Sequence, residues 1–193
     1  MSANPEPMIT EEEYLERERA AEFRSDYYAG YVYAMSGGSW THAILIQNVS
    51  RRLGNALEGR NCFVASSDVR VRGSGSLYTY PDVVVVCGEP KFLDNRTDTI
   101  TNPVLIIEVL SQSTEAYDRG AKATQYRKME SLRELVFVAQ LEPSVEIYRK
   151  RSENEWVLSE SAGLESTCRF DSVDCELPLS GIYDRVTFTP GLL

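Results

Sequence analysis

Three residues of this chain, Asp82, Glu108 and Lys122, have the types and spacing for cation-assisted hydrolysis. Asp82 opens the run Tyr80-Pro81-Asp82-Val83-Val84-Val85-Val86, and Glu108 lies near the end of Pro103-Val104-Leu105-Ile106-Ile107-Glu108-Val109-Leu110. Both runs are continuous and β-branched, as in strands buried on both faces. A carboxylate beside a core is costly unless it is paired, hydrogen-bonded or bound to a cation. If the two strands are antiparallel neighbours, the start of one lies beside the end of the other, and Asp82 and Glu108 converge. Two carboxylates and a backbone carbonyl, here that of Val109, can hold Mg²⁺ or Mn²⁺ while leaving waters in place. A cation so held activates a water and offsets phosphoryl charge. Lys122, on a following helix, could orient the attacking water or stabilise the transition state.

The elements that must position these groups are read from periodicity and caps. Residues 1–9 are expected to be a disordered leader. Thr10-Glu11-Glu12-Glu13 has capping-box form and starts a helix ending near Ala20. Strands are expected near Phe23–Tyr28 and Tyr31–Met35, turning at Ala29-Gly30. After a Ser36–Ser39 loop, Ser39 caps a helix from Trp40 to Leu57, whose residues Ile46, Val49, Leu53 and Leu57 keep helical spacing. Strands follow at Cys62–Ala65 and Asp68–Arg72, then the two carboxylate strands with a polar loop between them. A helix over Asp118–Met129 places Asp118, Lys122 and Tyr126 on one face. Further strands are expected near Leu135–Ala139, Val145–Arg149 and Trp156–Ser159. The pattern predicts one α/β domain over 10–187, with a mixed, largely antiparallel sheet flanked by helices, and a tail at 188–193.

The 193-residue chain carries a net charge of -9. Eight carboxylates against three arginines up to Gly30 supply more than half of that excess. Such a balance argues against general affinity for nucleic acid, which rests on Lys and Arg neutralising phosphates. No apolar stretch is long enough to span a membrane, and the N-terminus lacks the form of a signal peptide. Cys62, Cys87, Cys168 and Cys175 show neither zinc-ligand spacing nor a disulfide framework, so reduced thiols in a cytoplasmic protein are expected.

Pro81-Asp82, Glu108-Val109-Leu110 and Lys122 resemble the PD-(D/E)XK nuclease superfamily, with the lysine moved from the position of Leu110 to the next helix. More specifically, the chain is similar to the bacterial Uma2 family of restriction-endonuclease-like proteins from about residue 11 to Val186. The similarity is carried by Met35-Ser36-Gly37-Gly38-Ser39 with His42, Ser67-Asp68-Val69-Arg70-Val71, Tyr78-Thr79-Tyr80-Pro81-Asp82, Asn102 through Ser111, and Ser113-Thr114, Tyr117-Asp118, Lys122 and Tyr126. The resemblance implies a restriction-endonuclease-like α/β fold, a divalent cation and phosphodiester hydrolysis of nucleic acid, with DNA the expected substrate. In the first hairpin the family's Glu-Tyr-x-Asp-Gly-Glu is replaced by Asp26-Tyr27-Tyr28-Ala29-Gly30-Tyr31, leaving only Asp26 as a third acid.

The resulting site is Asp82, Glu108 and the Val109 carbonyl for Mg²⁺ or Mn²⁺, with Lys122 positioning water and Asp26 or His42 assisting. Plainer roles stand beside these: a strand-entry cap for Asp82, a buried salt bridge for Glu108, a surface partner of Asp118 for Lys122, a core histidine for His42 and helix packing for Tyr126. Asp68, Arg70 and Arg72 read as a cross-strand ion network, and Arg149-Lys150-Arg151 as a solvated strand end. A homodimer is expected, since cutting both strands commonly uses two sites related by a two-fold axis. The alternatives are a nuclease-fold oligomer with a weakened site that acts as an interaction module, and a small-molecule phosphodiesterase.

Overall fold

The computed structural model describes residues 8–35 and 37–188. Residues 1–7 of the expected leader, Ser36 of the first loop and residues 189–193 of the expected tail lie outside the described residues. Thr10 closes the first turn as its sequence predicts. Its hydroxyl accepts from the Glu13 N–H and the Glu13 carboxylate accepts from the Thr10 N–H, which starts helix α1 (Glu11–Ala20). β1 (Ser25–Tyr28) and β2 (Tyr31–Ala34) form a hairpin. Ala29 and Gly30 turn it with φ of 49° and 96°. Two positive φ values favour Asn-Gly or Asp-Gly, so alanine pays a steric cost there.

Ser39 accepts from the His42 N–H and begins α2 (Trp40–Ala56). Then come β3 (Cys62–Ser66), β4 (Arg70–Arg72), β5 (Leu77–Thr79), β6 (Val83–Cys87), β7 (Thr99–Ile100) and β8 (Leu105–Val109). A helical segment runs through α3 (Glu115–Tyr117), a π turn at Asp118–Lys122 and α4 (Ala123–Tyr126). β9 (Glu134–Val138), β10 (Ser144–Ser152), β11 (Glu155–Ala162), β12 (Thr167–Phe170), β13 (Cys175–Pro178) and the short α5 (Leu179–Ile182) complete the order. No helix among the described residues is long and apolar enough to cross a membrane.

The main sheet has the order β11-β10-β9-β8-β6-β3, antiparallel except for the parallel pair β8–β9. A second sheet, β2-β1-β5-β4-β7, is antiparallel except for β4–β7. Strand alternation divides the apolar runs of the main sheet between two cores. Val83, Val85, Leu105, Ile107 and Val109 face α2 and the C-terminal elements, packing with Leu45, Val49, Leu53, Phe170, Leu177 and Ile182. Val84, Val86, Ile106 and Leu110 face the other way, toward Val71 and Leu77 of the second sheet and Ala123 and Tyr126 of the helical segment. Glu108 falls on this second face by parity. Burial on both sides explains why neither run shows polar alternation.

Several expectations need correction. The second helix begins earlier, at Glu115, ends at Tyr126, and carries a π turn. The strand expected from Asp68 begins at Arg70, and β5 and β7 were not foreseen. Arg70 is buried, donating to Thr99 Oγ1 and the Tyr80 hydroxyl and pairing with Asp98 at 3.4 Å, while Arg72 pairs with Glu11 and Asp68 with Arg24. The expected reduced thiols hold only for Cys168 and Cys175, because Cys62 and Cys87 form a disulfide. These two stand directly opposite each other in the β3–β6 register, with Cα atoms 4.0 Å apart. The pairing depends on register, and their separation of 25 residues gives no hint of it.

Candidate active site

β6 and β8 are antiparallel neighbours, with Val83 opposite Ile107. One step further along the ladder brings Asp82 beside Glu108. The Val109 N–H donates to Asp82 Oδ2 at 2.7 Å, and the Asp82 N–H points at Glu108 Oε2 at 3.4 Å. The convergence expected from the two runs is therefore present, cross-linked through the backbone of each partner.

The turn Ser111–Thr114 returns the chain so that the helical segment lies over Glu108. Ser111 Oγ accepts from the Thr114 N–H, and the Glu115 N–H bonds to the Ser111 carbonyl. Lys122 sits at the end of the π turn, a distortion that often marks functional helices. Its Nζ lies 3.3 Å from Glu108 Oε1, 3.2 Å from Asp118 Oδ1 and 3.7 Å from Asp26 Oδ2. Lys122 thus makes the i, i+4 pair with Asp118, but in a buried setting rather than on the surface. Tyr126 packs in the core and also donates its hydroxyl to Glu108 Oε1 at 2.9 Å. Asp26, from β1, stands on the Lys122 side, with Oδ1 3.4 Å from the Tyr80 N–H.

His42 lies in the first turn of α2. Its Nε2 is 3.1 Å from Asp82 Oδ1, and its Nδ1 is 3.3 Å from Gln140 Nε2. All five residues singled out from sequence, Asp26, His42, Asp82, Glu108 and Lys122, line one cleft of about 600 Å³. Sequence reasoning missed Gln140, just after β9, because a lone glutamine beyond a strand carries no signal. It also gave Tyr126 only a packing role, although helical spacing already placed it on the face of Lys122.

The electrostatics are dominated by burial. Glu108 is 2% exposed, and burial pushes its carboxyl up to about 8, with Lys122 opposing the rise. Burial likewise raises Asp26, again opposed by Lys122. For Lys122 burial disfavours the charge, but Glu108, Asp26 and Asp118 more than reverse this and lift its pKa well above the ordinary lysine value. Burial pulls His42 down, and the hydrogen bond and charge of Asp82 outweigh it, so the imidazole titrates above its usual value. Burial and the neighbouring Glu108 hold the Tyr126 hydroxyl protonated.

Among the described residues, no three His, Cys, Asp or Glu side chains gather into a ready-made metal cage. The donor set is instead two carboxylates and the adjoining backbone. Among the described residues, Glu108 Oε1 is occupied by Lys122 and Tyr126, whereas Oε2 meets only the distant Asp82 N–H. Each Asp82 oxygen meets a single donor among the described residues, which leaves each a lone pair. Consecutive strand residues alternate their backbone groups between neighbours. Leu110 bonds toward β9 and Gln140, while the Val109 N–H faces Asp82, which puts the Val109 carbonyl on the Asp82 side. An all-oxygen site with one or two carboxylates and room for water suits Mg²⁺ or Mn²⁺, which rarely use all-protein cages. The residues present fit such an ion.

The cleft is acidic overall. Among the described residues, eight carboxylates line it against Arg119 and Lys122, and Arg119 is itself held by Glu115 and Glu146. The basic run at Arg149–Arg151 lies outside this lining and is engaged elsewhere: Arg149 by Glu134 and Asp171, Lys150 by the Met129 carbonyl.

Known proteins share this architecture. The chain is 36% identical over 156 residues to the "Uncharacterized protein slr1290" of Synechocystis sp., covering 80% of each. It is 36% identical over 164 residues to the "Uncharacterized protein sll1609" of the same organism, covering 84% of this chain and 93% of the relative. A crystal structure from Anabaena variabilis, described as "a putative nuclease belonging to DUF820", superposes with a TM-score of 0.75 at 16% identity, over 93% of this chain and 99% of that one. At that identity the likeness shows a common fold: the mixed α/β architecture, with largely antiparallel sheets flanked by helices, expected from the sequence. A family model described as "Putative restriction endonuclease" matches residues 11–180, and the chain belongs to that family, Uma2.

Proposed function

We propose that residues 10–187 form one catalytic unit, a divalent-cation-dependent endonuclease with a PD-(D/E)XK-type centre acting on DNA. The observation that carries this reading is the convergence of Asp82 and Glu108 in one cleft, with the Lys122 ammonium 3.3 Å from Glu108. Asp82, Glu108 and the Val109 carbonyl would hold Mg²⁺ or Mn²⁺, which when bound supplies Lewis acidity and an activated water. Lys122 supplies a fixed positive charge, kept protonated by Asp118 and Asp26 and, once it is ionised, Glu108, for orienting water or meeting charge on the phosphoryl oxygens. Tyr126 and Lys122 together fix the Glu108 carboxylate through Oε1, leaving Oε2 toward Asp82. His42 buttresses Asp82 from the α2 side. Asp26 acts through Lys122, as one of the charges that keep it an ammonium. Cutting both strands of a duplex would use a homodimer with two such centres.

The acidic lining favours a second reading, in which a nuclease fold with a weakened site serves as an oligomeric interaction module. It lacks the Lys and Arg surplus on which polyanion affinity usually rests. One experiment separates the two. Supercoiled plasmid, linear duplex, single-stranded DNA and RNA are incubated with the protein and Mg²⁺ or Mn²⁺ over a range of salt, beside Asp82→Ala. Cation-dependent cutting by the wild type, lost in Asp82→Ala, is the expected result. No cutting of any polymer, or equal cutting by both proteins, refutes the enzymatic reading.

A further inference from the structure

The side chain of Gln140 touches three groups. Its Nε2 is 2.7 Å from the Leu110 carbonyl and 3.3 Å from His42 Nδ1, and its Oε1 is 2.9 Å from Ser39 Oγ. A backbone carbonyl can only accept. The NH₂ end of the amide must therefore face Leu110, since the flipped amide would set two acceptors 2.7 Å apart. That orientation decides the others. The second Nε2 hydrogen points at His42 Nδ1, which must offer a lone pair. Ser39 Oγ already accepts from the His42 N–H at 3.1 Å, so its own hydrogen goes to Gln140 Oε1. A neutral imidazole that accepts at Nδ1 carries its proton on Nε2, the nitrogen 3.1 Å from Asp82 Oδ1.

We propose that Gln140 is a positioning residue that holds His42 in the Nε2–H tautomer and so aims the imidazole N–H at Asp82. Asp82 is then gripped at both oxygens, by His42 at Oδ1 and by the Val109 N–H at Oδ2, in one orientation toward Glu108. The tautomer stands on the hydrogen-bond geometry alone. Its consequence for a cation rests on the reading of Asp82 as a ligand. Outer partners that orient a ligating group commonly change metal affinity by about 10- to 100-fold when removed. The same amide also joins the end of β8, through Leu110, to the N-cap of α2, through Ser39, so the two walls that carry Glu108 and His42 share one clamp.

His42 is the only histidine, so the imidazole ¹⁵N resonances belong to it alone, and Nδ1 and Nε2 are told apart by their couplings to the ring C–H protons. They are measured in chelator, at a pH where the ring is neutral, for the wild type, Gln140→Leu and Gln140→Glu. The wild type should show Nε2–H as the dominant form. Gln140→Leu should give mixed tautomers, and so should Gln140→Glu, whose carboxylate has no N–H to offer Nδ1 and is repelled by the Leu110 carbonyl. Mn²⁺ affinity should fall by up to about tenfold in Gln140→Leu, which acts on the ligand one step removed, through His42. A wild type that is mainly Nδ1–H overturns the proposal without reference to any variant, and so does an unchanged Nε2–H population in both variants. A wild type that shows the Gln140-dependent tautomer but binds no Mn²⁺ removes the cation reading and leaves the tautomer assignment standing.

Discussion

Replacing Glu108 with glutamine separates the electrostatics of the site from its catalysis. Burial raises the Glu108 carboxyl from 4.5 to about 8, although Lys122 opposes the rise. In the unfolded chain the same group titrates near its ordinary value. Below that value both states hold the proton, and folding is indifferent to it. As pH rises toward about 8 the unfolded state releases the proton while the folded state keeps it, so stability is lost; above that both are ionised and the loss is constant. At 1.36 kcal/mol per unit, the loss reaches about 3 kcal/mol at pH 7 and about 5 kcal/mol at full extent, an upper figure for a site that can relax. Glutamine has no such proton, and its Oε1 still accepts from Tyr126 and Lys122, while Asp118 and Asp26 remain to pair the ammonium. Urea unfolding of both proteins in chelator should give stabilities shifted by only about 1 kcal/mol relative to each other at pH 5. By pH 8, Glu108→Gln should gain on the wild type by up to about 4 kcal/mol. Added Mn²⁺ should restore stability to the wild type alone, because binding to the folded state stabilises it and requires the ionised carboxylate. Parallel pH profiles for the two proteins would refute the claim that Glu108 is a strained buried acid.

Three further outcomes are expected. Asp98 is held down to about 2, chiefly by its hydrogen bonds from Arg19, so its contribution is present above its ordinary 3.8 and lost as pH falls toward 2. Asp98→Asn should therefore lower stability at neutral pH by about 1 kcal/mol, a figure discounted for partial exposure, and should flatten acid unfolding below pH 4. Replacing Cys62 and Cys87 together by alanine should cost about 3 kcal/mol relative to the oxidised protein, as expected for a bridge closing a loop of this size. Thiol titration of the denatured, unreduced wild type should find two reactive groups, from Cys168 and Cys175. Ala29→Asn should stabilise the first hairpin by about 0.5–1 kcal/mol in thermal or urea melts, because asparagine accepts the positive φ at that turn position.

Much of the site was legible because it was built from strong local signals. The β6 and β8 runs each carry one acid within a continuous apolar stretch, and antiparallel pairing was the simplest way to make those acids share their burial cost. The caps at Thr10 and Ser39 and the common face of Asp118, Lys122 and Tyr126 followed from spacing. What was not legible depends on tertiary register or on very short elements. β5 and β7 have three and two residues, too few for a periodic signal. The Cys62–Cys87 bond exists only because β3 and β6 place those residues opposite each other. The hydrogen bond from Gln140 to His42 joins residues 98 apart in sequence, and no local pattern marks either end. The π turn contains Gly120, but a lone glycine inside a helical pattern does not by itself specify such a turn. The departure from the family pattern at Ala29 could be read, and the structure gives it a physical meaning as a left-handed turn position filled by a residue poorly suited to it.

Divalent-cation binding between Asp82 and Glu108 can be observed directly. Its most direct test is the anomalous difference map of a crystal of this protein soaked in Mn²⁺. A peak is expected between the Asp82 and Glu108 carboxylates, within ligand distance of both and on the side of the Val109 carbonyl. A fully soaked crystal with no peak there, or with Mn²⁺ bound only at other carboxylates, would contradict it.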